Sequence, residues 1–249
     1  MLLDAPLQKT QRLKSNNCVI PAPGICHLVS SIQYPVSSIQ YPVSSIQYPA
    51  SPAFLYFSSM IRLAAPTDAK GILEIYGPYI TNTSFTFESE VPSLQDFSDR
   101  IKSYLGNWPW LVCEIDGRIA GYAYGSKYRE RTGYQWCVEC SVYIHDDFHR
   151  RGIAKTLYET LFELLKQQGY RNVYAVINLP NERSVQFHES CGFKWFANYE
   201  NVGYKLGKWK TVGWWQLIIN DYTDEPAPPR KFSELDKKVI DKILDQANR

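Results

Sequence analysis

The chain has 249 residues, 45% hydrophobic and 21% charged, with a net charge of only +2. That balance supports a sizeable buried core and excludes global disorder, and the weak charge gives no reason to expect nucleic acid or an anionic membrane as partner. No uninterrupted apolar run approaches the roughly 18 residues of a membrane helix. Aromatics make up 14%, including 18 Tyr and 7 Trp, which suits large half-polar pockets better than a plain helical bundle. Cys18, Cys26, Cys113, Cys137, Cys140 and Cys191 show no paired framework, so we expect reduced thiols and a cytoplasmic setting.

Residues 1–59 differ from all that follows. From Ser30 to Ala50 a seven-residue unit, Ser-Ser-Ile-Gln-Tyr-Pro-Val, runs three times in tandem with Ala closing the third copy. A proline every seven residues would cost about 3 kcal/mol each inside a helix, so the segment is expected to be extended or disordered. We read it as a low-complexity spacer. The alternative is an organelle-targeting peptide, since Asp4 is the only acid before Arg62 while Lys9, Arg12, Lys14 and many serines are present.

From 60 to 221 the pattern is that of one α/β domain. Ile61 and Leu63 mark a short strand. Thr67 or Asp68 caps a helix carrying Ile72, Leu73, Ile75, Tyr76 and Ile80, and Ser93 with Asp96 three residues later opens a second, reaching about Leu105. Trp110 to Ile115, the Asp116-Gly117 turn and Ile119 to Tyr124 form a hairpin. Tyr134 to Ile144 reads as a long strand. Arg151 to Gln168 is the clearest helix, with Ile153, Leu157, Leu161, Leu164 and Leu165 as its stripe and Gly169 beyond its end. Val173 to Ile177 is a buried strand, Glu182 to about Cys191 a helix stopped by Gly192, and Phe193 to Tyr204 and Val212 to Ile219 two closing strands. The tail, 222–249, begins as an acidic, proline-rich linker and ends in a short amphipathic helix from Ser233 to Ala247, expected to serve packing or dimerisation.

The informative junction lies where the long strand turns into the clearest helix. Unpaired amides at a helix start and the positive end of its dipole make an anion site. Gly152 permits close approach, Ala154 leaves the next amide open, and Arg150 and Arg151 add charge that would be unfavourable at a helix start without an anion. The turn His149-Arg150-Arg151-Gly152-Ile153-Ala154 is therefore expected to cradle a diphosphate. Neither a dinucleotide fingerprint nor a P-loop is present.

That strand and turn, together with the later Asn181-x-x-Ser184-Val185-x-Phe187-His188-Glu189-x-x-Gly192-Phe193, resemble the GCN5-related N-acetyltransferase superfamily, and within it the phosphinothricin acetyltransferase group. Pro109 to Val112, Val138 to Ile144, Val176 to Asn181 and Val212 to Leu217 extend the likeness over about Met60 to Asn220. The resemblance implies a mixed, mostly antiparallel sheet splayed at the long strand, with helices on both faces. Acetyl-CoA would lie in the splay, its pantetheine arm bonded to the backbone of Val142, Tyr143 and Ile144 as an added strand would be. Its phosphates would rest on Arg150, Arg151, Gly152, Ile153, Ala154 and Lys155, with Asn181 and Ser184 nearby. The family turn usually starts with Arg or Gln where His149 stands, a departure that leaves the backbone cradle intact.

Acyl transfer needs a neutral amine, so a carboxylate must accept a proton. Glu139 matches the group's base and shares a strand face with Ser141 and Tyr143. His188 stands where most of the superfamily has Tyr. Two roles remain open for it, protonating the departing CoA thiolate or binding the substrate's anionic group. Arg129 and Arg131, in a loop with Tyr134, offer forks for a carboxylate or phosphinate, with Arg129 replacing the group's usual Lys. Phe85, Phe87 and Trp136 are candidates for lining the pocket, and core packing explains them equally. The Cys137/Cys140 spacing mimics a metal or redox pair, but residues three apart on a strand point to opposite faces, so no metal is expected.

The expected function is acetylation of the amino group of a small L-amino acid or analogue, of the phosphinothricin, methionine sulfoximine or methionine sulfone type, a detoxifying reaction. A peptide or protein N-terminal acetyltransferase is one alternative, a non-catalytic acyl-CoA sensor another. The resemblance also implies a homodimer, and neither nucleic acid nor membrane is an expected partner.

Overall fold

The computed structural model describes residues 59–249. The repeat and the targeting question lie outside these residues. Seven strands form one sheet, with β1 (Ser59–Leu63), β2 (Trp110–Ile115), β3 (Arg118–Lys127) and β4 (Cys137–Ile144) as successive antiparallel neighbours. β5 (Asn172–Leu179) runs parallel to β4, and β7 (Lys208–Ile218) then separates β5 from β6 (Lys194–Lys205). The turn between β2 and β3 forms as expected, with Asp116 and Gly117 both at positive φ (51° and 76°), the conformation that matches strand twist in a tight hairpin.

One break in the pairing shapes the molecule. β4 bonds β5 only through Cys137–Asn172, Val138–Val173 and Glu139–Tyr174, whereas β3 follows β4 to Ile144 and β7 follows β5 to Leu179. Past Glu139 the two parallel strands part, and the sheet splits into halves joined at their base.

Helices cover both faces. α1 (Ala69–Asn82) and α2 (Leu94–Leu105) bury Ile72, Ile75, Ile80, Phe97 and Ile101 against Trp110, Val112 and Tyr122. Ser93 caps α2 by accepting from the Asp96 amide at 3.1 Å. On the other face α3 (Ile153–Gln168) buries Leu157, Leu161, Leu164 and Leu165, each contributing about 1.5–3 kcal/mol of apolar burial. α4 (Glu182–Ser190) follows β5. α5 (Lys237–Ala247), capped by Asp236, sets Ile240 and Ile243 into the α3 core. Just past it, Asn248 exchanges two hydrogen bonds with the Ile61 backbone (2.6 and 2.9 Å), occupying the open edge of β1 as a further strand residue would.

Several expected boundaries move, β7 for one beginning at Lys208 and not Val212. The long strand starts at Cys137, not Tyr134, because Thr132–Tyr134 wind one 3-10 turn and β5 supplies a partner only from Asn172 onward. The clearest helix starts at Ile153, not Arg151, because Arg150 (φ 63°) and Gly152 (φ 79°) are left-handed and cannot continue a right-handed helix. The tail helix starts at Lys237, after a 3-10 turn at Phe232–Glu234.

Candidate active site

The parting strands open a cavity of about 590 Å³, bounded by Cys140 to Ile144, by the turn His149 to Lys155, and by Val176 to Asn178 with α4. Its backbone lining follows from register. The His145 amide donates to the Ala120 carbonyl (2.9 Å), so by alternation His145, Tyr143 and Ser141 bond β3 while the backbone of Cys140, Val142 and Ile144 faces the gap. Those groups suit an extended ligand bearing its own amides. At the far end the Ile144 carbonyl is taken, accepting from the Tyr79 hydroxyl (3.1 Å) and from His149 Nε2 (3.2 Å).

The turn after β4 presents free amides and cationic side chains to the cavity. Left-handed Arg150 and Gly152 bend the chain so that α3 begins facing the cavity, and a Cβ on Gly152 would meet nothing within 4 Å. Its glycine is therefore required by backbone conformation, not by a neighbour. Lys155 and Thr156 are the first amides to bond back, both to the Gly152 carbonyl, which leaves Ile153 and Ala154 without helical partners. Arg150, Arg151 and Lys155 line the space. The Arg151 guanidinium is engaged at the rim, 5.1 Å from the Phe148 ring centre and 3.4 Å from the Asp147 carbonyl.

Asn178 provides an independent sign of a ligand. It is 6% exposed, lines the cavity, and both polar atoms of its carboxamide lack a protein partner. An orphaned buried amide costs about 1–3 kcal/mol, which a ligand with a donor and an acceptor offsets. The splay, the phosphate turn and this amide together fit the pantetheine and diphosphate of acetyl-CoA.

The two expected catalytic groups approach the gap from opposite faces. Glu139, Ser141 and Tyr143 share the face toward α1: the Tyr143 ring meets Tyr76 and Tyr79 edge-on, each at 5.1 Å, and Ser141 stands opposite Tyr124 across β3 and β4. Burial pushes the Glu139 carboxyl up to about 7, with the positive charge of Arg129 pulling it partly back. Arg129 lies over the rings of Tyr128 (5.0 Å) and Trp214 (5.5 Å), fixed in a way a lysine would not reproduce. Tyr134 sits edge-on to Tyr128, and Arg131 is exposed on the same loop. None of Glu139, Arg129, Arg131 and Tyr134 lines the cavity itself.

Cys140 points the other way, toward α3 and α4. His188 is 6% exposed, and burial lowers its pKa. Its Nδ1 lies 2.7 Å from the Ser184 carbonyl and 3.3 Å from Ser184 Oγ, and its Nε2 lies 3.0 Å from the Tyr158 hydroxyl. Asn181 caps α4, accepting from the Ser184 amide (3.2 Å).

Of the aromatic candidates, Phe85 lines the cavity. Phe87 packs on Gly203, where a Cβ would fall 2.3 Å from its ring. Trp136 donates to the Ala227 carbonyl (2.9 Å), anchoring the tail. Sequence reasoning missed Tyr79, Tyr158, Asn178 and Arg183. Tyr79 carried a usable signal, standing three residues after Tyr76 on the same helix face. Among the described residues no group of three or more His, Cys, Asp or Glu could hold a metal ion.

Comparison with known proteins agrees with this geometry. Residues 61–214 match the family model described as an acetyltransferase (GNAT) domain. The chain is 37% identical over 170 residues to a phosphinothricin N-acetyltransferase of Streptomyces viridochromogenes, covering 68% of this chain and 91% of the relative. It is 30% identical over 171 residues to an L-methionine sulfoximine/L-methionine sulfone acetyltransferase of Salmonella typhimurium, covering 67% and 98%. Among solved structures, a phosphinothricin acetyltransferase from Sinorhizobium meliloti in complex with acetyl-CoA superposes with a TM-score of 0.64 at 28% identity, over 70% of this chain and 98% of that one. With the splayed sheet, the left-handed turn after β4 and a family match across most of the described fold, the chain belongs to the GNAT family of acetyl-CoA-dependent acetyltransferases.

Proposed function

We propose that the chain acetylates the α-amino group of a free L-amino acid or close analogue, with Glu139 as the base. The carrying observation is Glu139 itself, a carboxyl brought to about 7 by burial on the strand that borders the gap. A group poised there accepts a proton from an ammonium at neutral pH, directly or through one water. The pinned Arg129, with Arg131 beside it, offers the carboxylate or phosphinate of such an acceptor a fork close to the base. Names of relatives point the same way: phosphinothricin, methionine sulfoximine and methionine sulfone are amino-acid analogues with a second polar head.

Val142 and Ile144, Arg150 to Lys155, Asn181 and Ser184 hold the acetyl donor in this reading, while the Tyr143 backbone, also expected there, is turned to β3. Ser141, Tyr143 and Phe87 border the acceptor. The bound donor supplies the activated acetyl group, and the chain's residues orient the amine and remove its protons. Exposed Trp195, Tyr204 and Trp209 on the β6–β7 hairpin support a homodimer, which sedimentation would detect. Among the described residues Cys113, Cys137, Cys140 and Cys191 are free thiols, which supports a reducing, cytoplasmic setting.

The test is release of CoA thiol with purified protein across free amino acids, the three analogues and short peptides. Turnover on free amino acids or analogues is expected. Turnover on peptides alone would replace this acceptor with a protein N-terminus, and thiol-independent CoA binding alone would leave a sensor.

A further inference from the structure

The hydrogen bonds of His188 settle its tautomer. A carbonyl oxygen only accepts, so the 2.7 Å contact with the Ser184 carbonyl requires a proton on Nδ1. Neutral His188 then has only a lone pair on Nε2, and the Tyr158 hydroxyl 3.0 Å away donates to it. Tyr158 in turn accepts from the Cys140 thiol (3.4 Å). The order is therefore Cys140 to Tyr158 to His188 to the α4 backbone. The one proton His188 carries points along its own helix to the Ser184 carbonyl, and burial disfavours a second.

The hydroxyl that can turn is that of Tyr158. It is 1% exposed to solvent, yet it lines the cavity together with Cys140. It stands on the sheet face opposite Glu139, which borders the gap on β4 without lining the cavity. Other groups facing this chain of bonds are Cys191 and Glu159, with Lys155 nearby. None of them touches His188 Nε2 among the described contacts.

Resting on the acetyl-transfer reading above, we infer that Tyr158 is the acid that protonates the departing CoA thiolate and that His188 is its positioning residue. When the tetrahedral intermediate collapses, the carbon–sulfur bond breaks and its electron pair stays on sulfur. The Tyr158 O–H bond breaks, the S–H bond of CoA forms, and the phenolate keeps the Cys140 thiol as its donor. Two protons leave the acceptor ammonium through Glu139 to solvent. One returns from solvent to Tyr158 when free CoA departs. The balance is one proton released per acetyl group transferred, as the overall reaction requires.

The experiment compares Tyr158→Phe with His188→Gln, whose side-chain oxygen can still accept the Tyr158 proton. Loss of the acid should lower kcat in Tyr158→Phe by about 100-fold, with CoA affinity by calorimetry within about threefold of wild type. His188→Gln should lose only about tenfold, and the double variant should be no worse than Tyr158→Phe, as for two groups acting as one unit. The reverse order, with His188→Gln dead and Tyr158→Phe near wild type, makes His188 the acid and overturns the inference. So does loss of melting temperature in both variants with kcat untouched. Nitrogen NMR of the wild-type His188 ring needs no variant to fold: Nδ1–H with bare Nε2 is expected, and Nε2–H would overturn the assignment. A wild type that releases no thiol with any amine defeats the acetyl-transfer reading itself. A wild type that turns over while Tyr158→Phe keeps pace defeats only this step.

Discussion

Glu139 and His188 stand on the two faces of one splayed sheet, and the same force acts on both. Burial disfavours charge, so it raises the carboxyl to about 7 and lowers the imidazole. The consequences diverge. A carboxyl near neutrality is a better base than an ordinary one, and Arg129 keeps it from rising further. A histidine pushed below its usual range loses the proton an acid would give, and its two nitrogens are held by Ser184 and Tyr158. Desolvation alone does not say what a buried titratable group does; the partners it is left with decide.

The comparison breaks most sharply at Glu139. Replacing it with Gln should reduce kcat at pH 7 by about 100- to 1,000-fold while CoA binding persists, read by thiol release and calorimetry. In wild type kcat should rise with pH up to about 7 and then level, and the variant should lose that limb. The stability effect has the opposite sign. A carboxyl whose folded pKa exceeds its unfolded value binds protons more tightly when folded, so folding stability falls as pH rises from about 4.5 to about 7. Above that range Glu139→Gln should be more stable than wild type by on the order of 1–3 kcal/mol. A variant that is inactive and less stable at pH 8 would mean Glu139 holds the fold together and does not serve as the base.

Arg129 sharpens the same contrast with a smaller effect. Its charge lowers the Glu139 pKa, so Arg129→Gln should move the pH limb of kcat to higher pH. It should also raise the acceptor KM by about tenfold, the loss expected of one charge-assisted pair, with the KM for acetyl-CoA unmoved. A limb that stays in place separates Arg129 from the base. Gly152→Ala tests the other end of the cavity. At φ 79° an alanine costs about 1–2 kcal/mol of backbone strain, and relief by a shift of the turn should weaken CoA by about tenfold while the Glu139 limb stays where it was.

What the sequence disclosed follows the same division between local and distant causes. The α3 stripe, the Ser93 cap and the Asp116-Gly117 hairpin are written in neighbouring residues, and each is where the pattern puts it. The splay was reachable only through family resemblance, because no period within β4 reveals where β5 lets go. Left-handed Arg150 was hidden, since arginine gives no sign of a positive φ. Tyr158 was hidden for a different reason: beside Leu157 in a leucine stripe it reads as core. Its meaning depends on a histidine thirty residues away, for which the sequence leaves two roles open, acid or ligand of the substrate's anionic group.

Asn178 should give the smallest effect, and it separates a ligand-binding role from a packing one. Its register places it four residues beyond Tyr174, the partner of Glu139, so it shares the Glu139 face of the sheet and not the His188 face. Its carboxamide is buried without a protein partner. Asn178→Val removes that burden at similar volume, so the free protein should melt about 2–5 °C higher. The gain should reverse on binding, because the valine cannot pair with an amide of the donor: CoA affinity should fall several-fold and the melting shift produced by CoA should shrink. A variant that melts lower and binds CoA as wild type does would show that Asn178 packs the half of the sheet beyond the gap and takes no part in holding the donor.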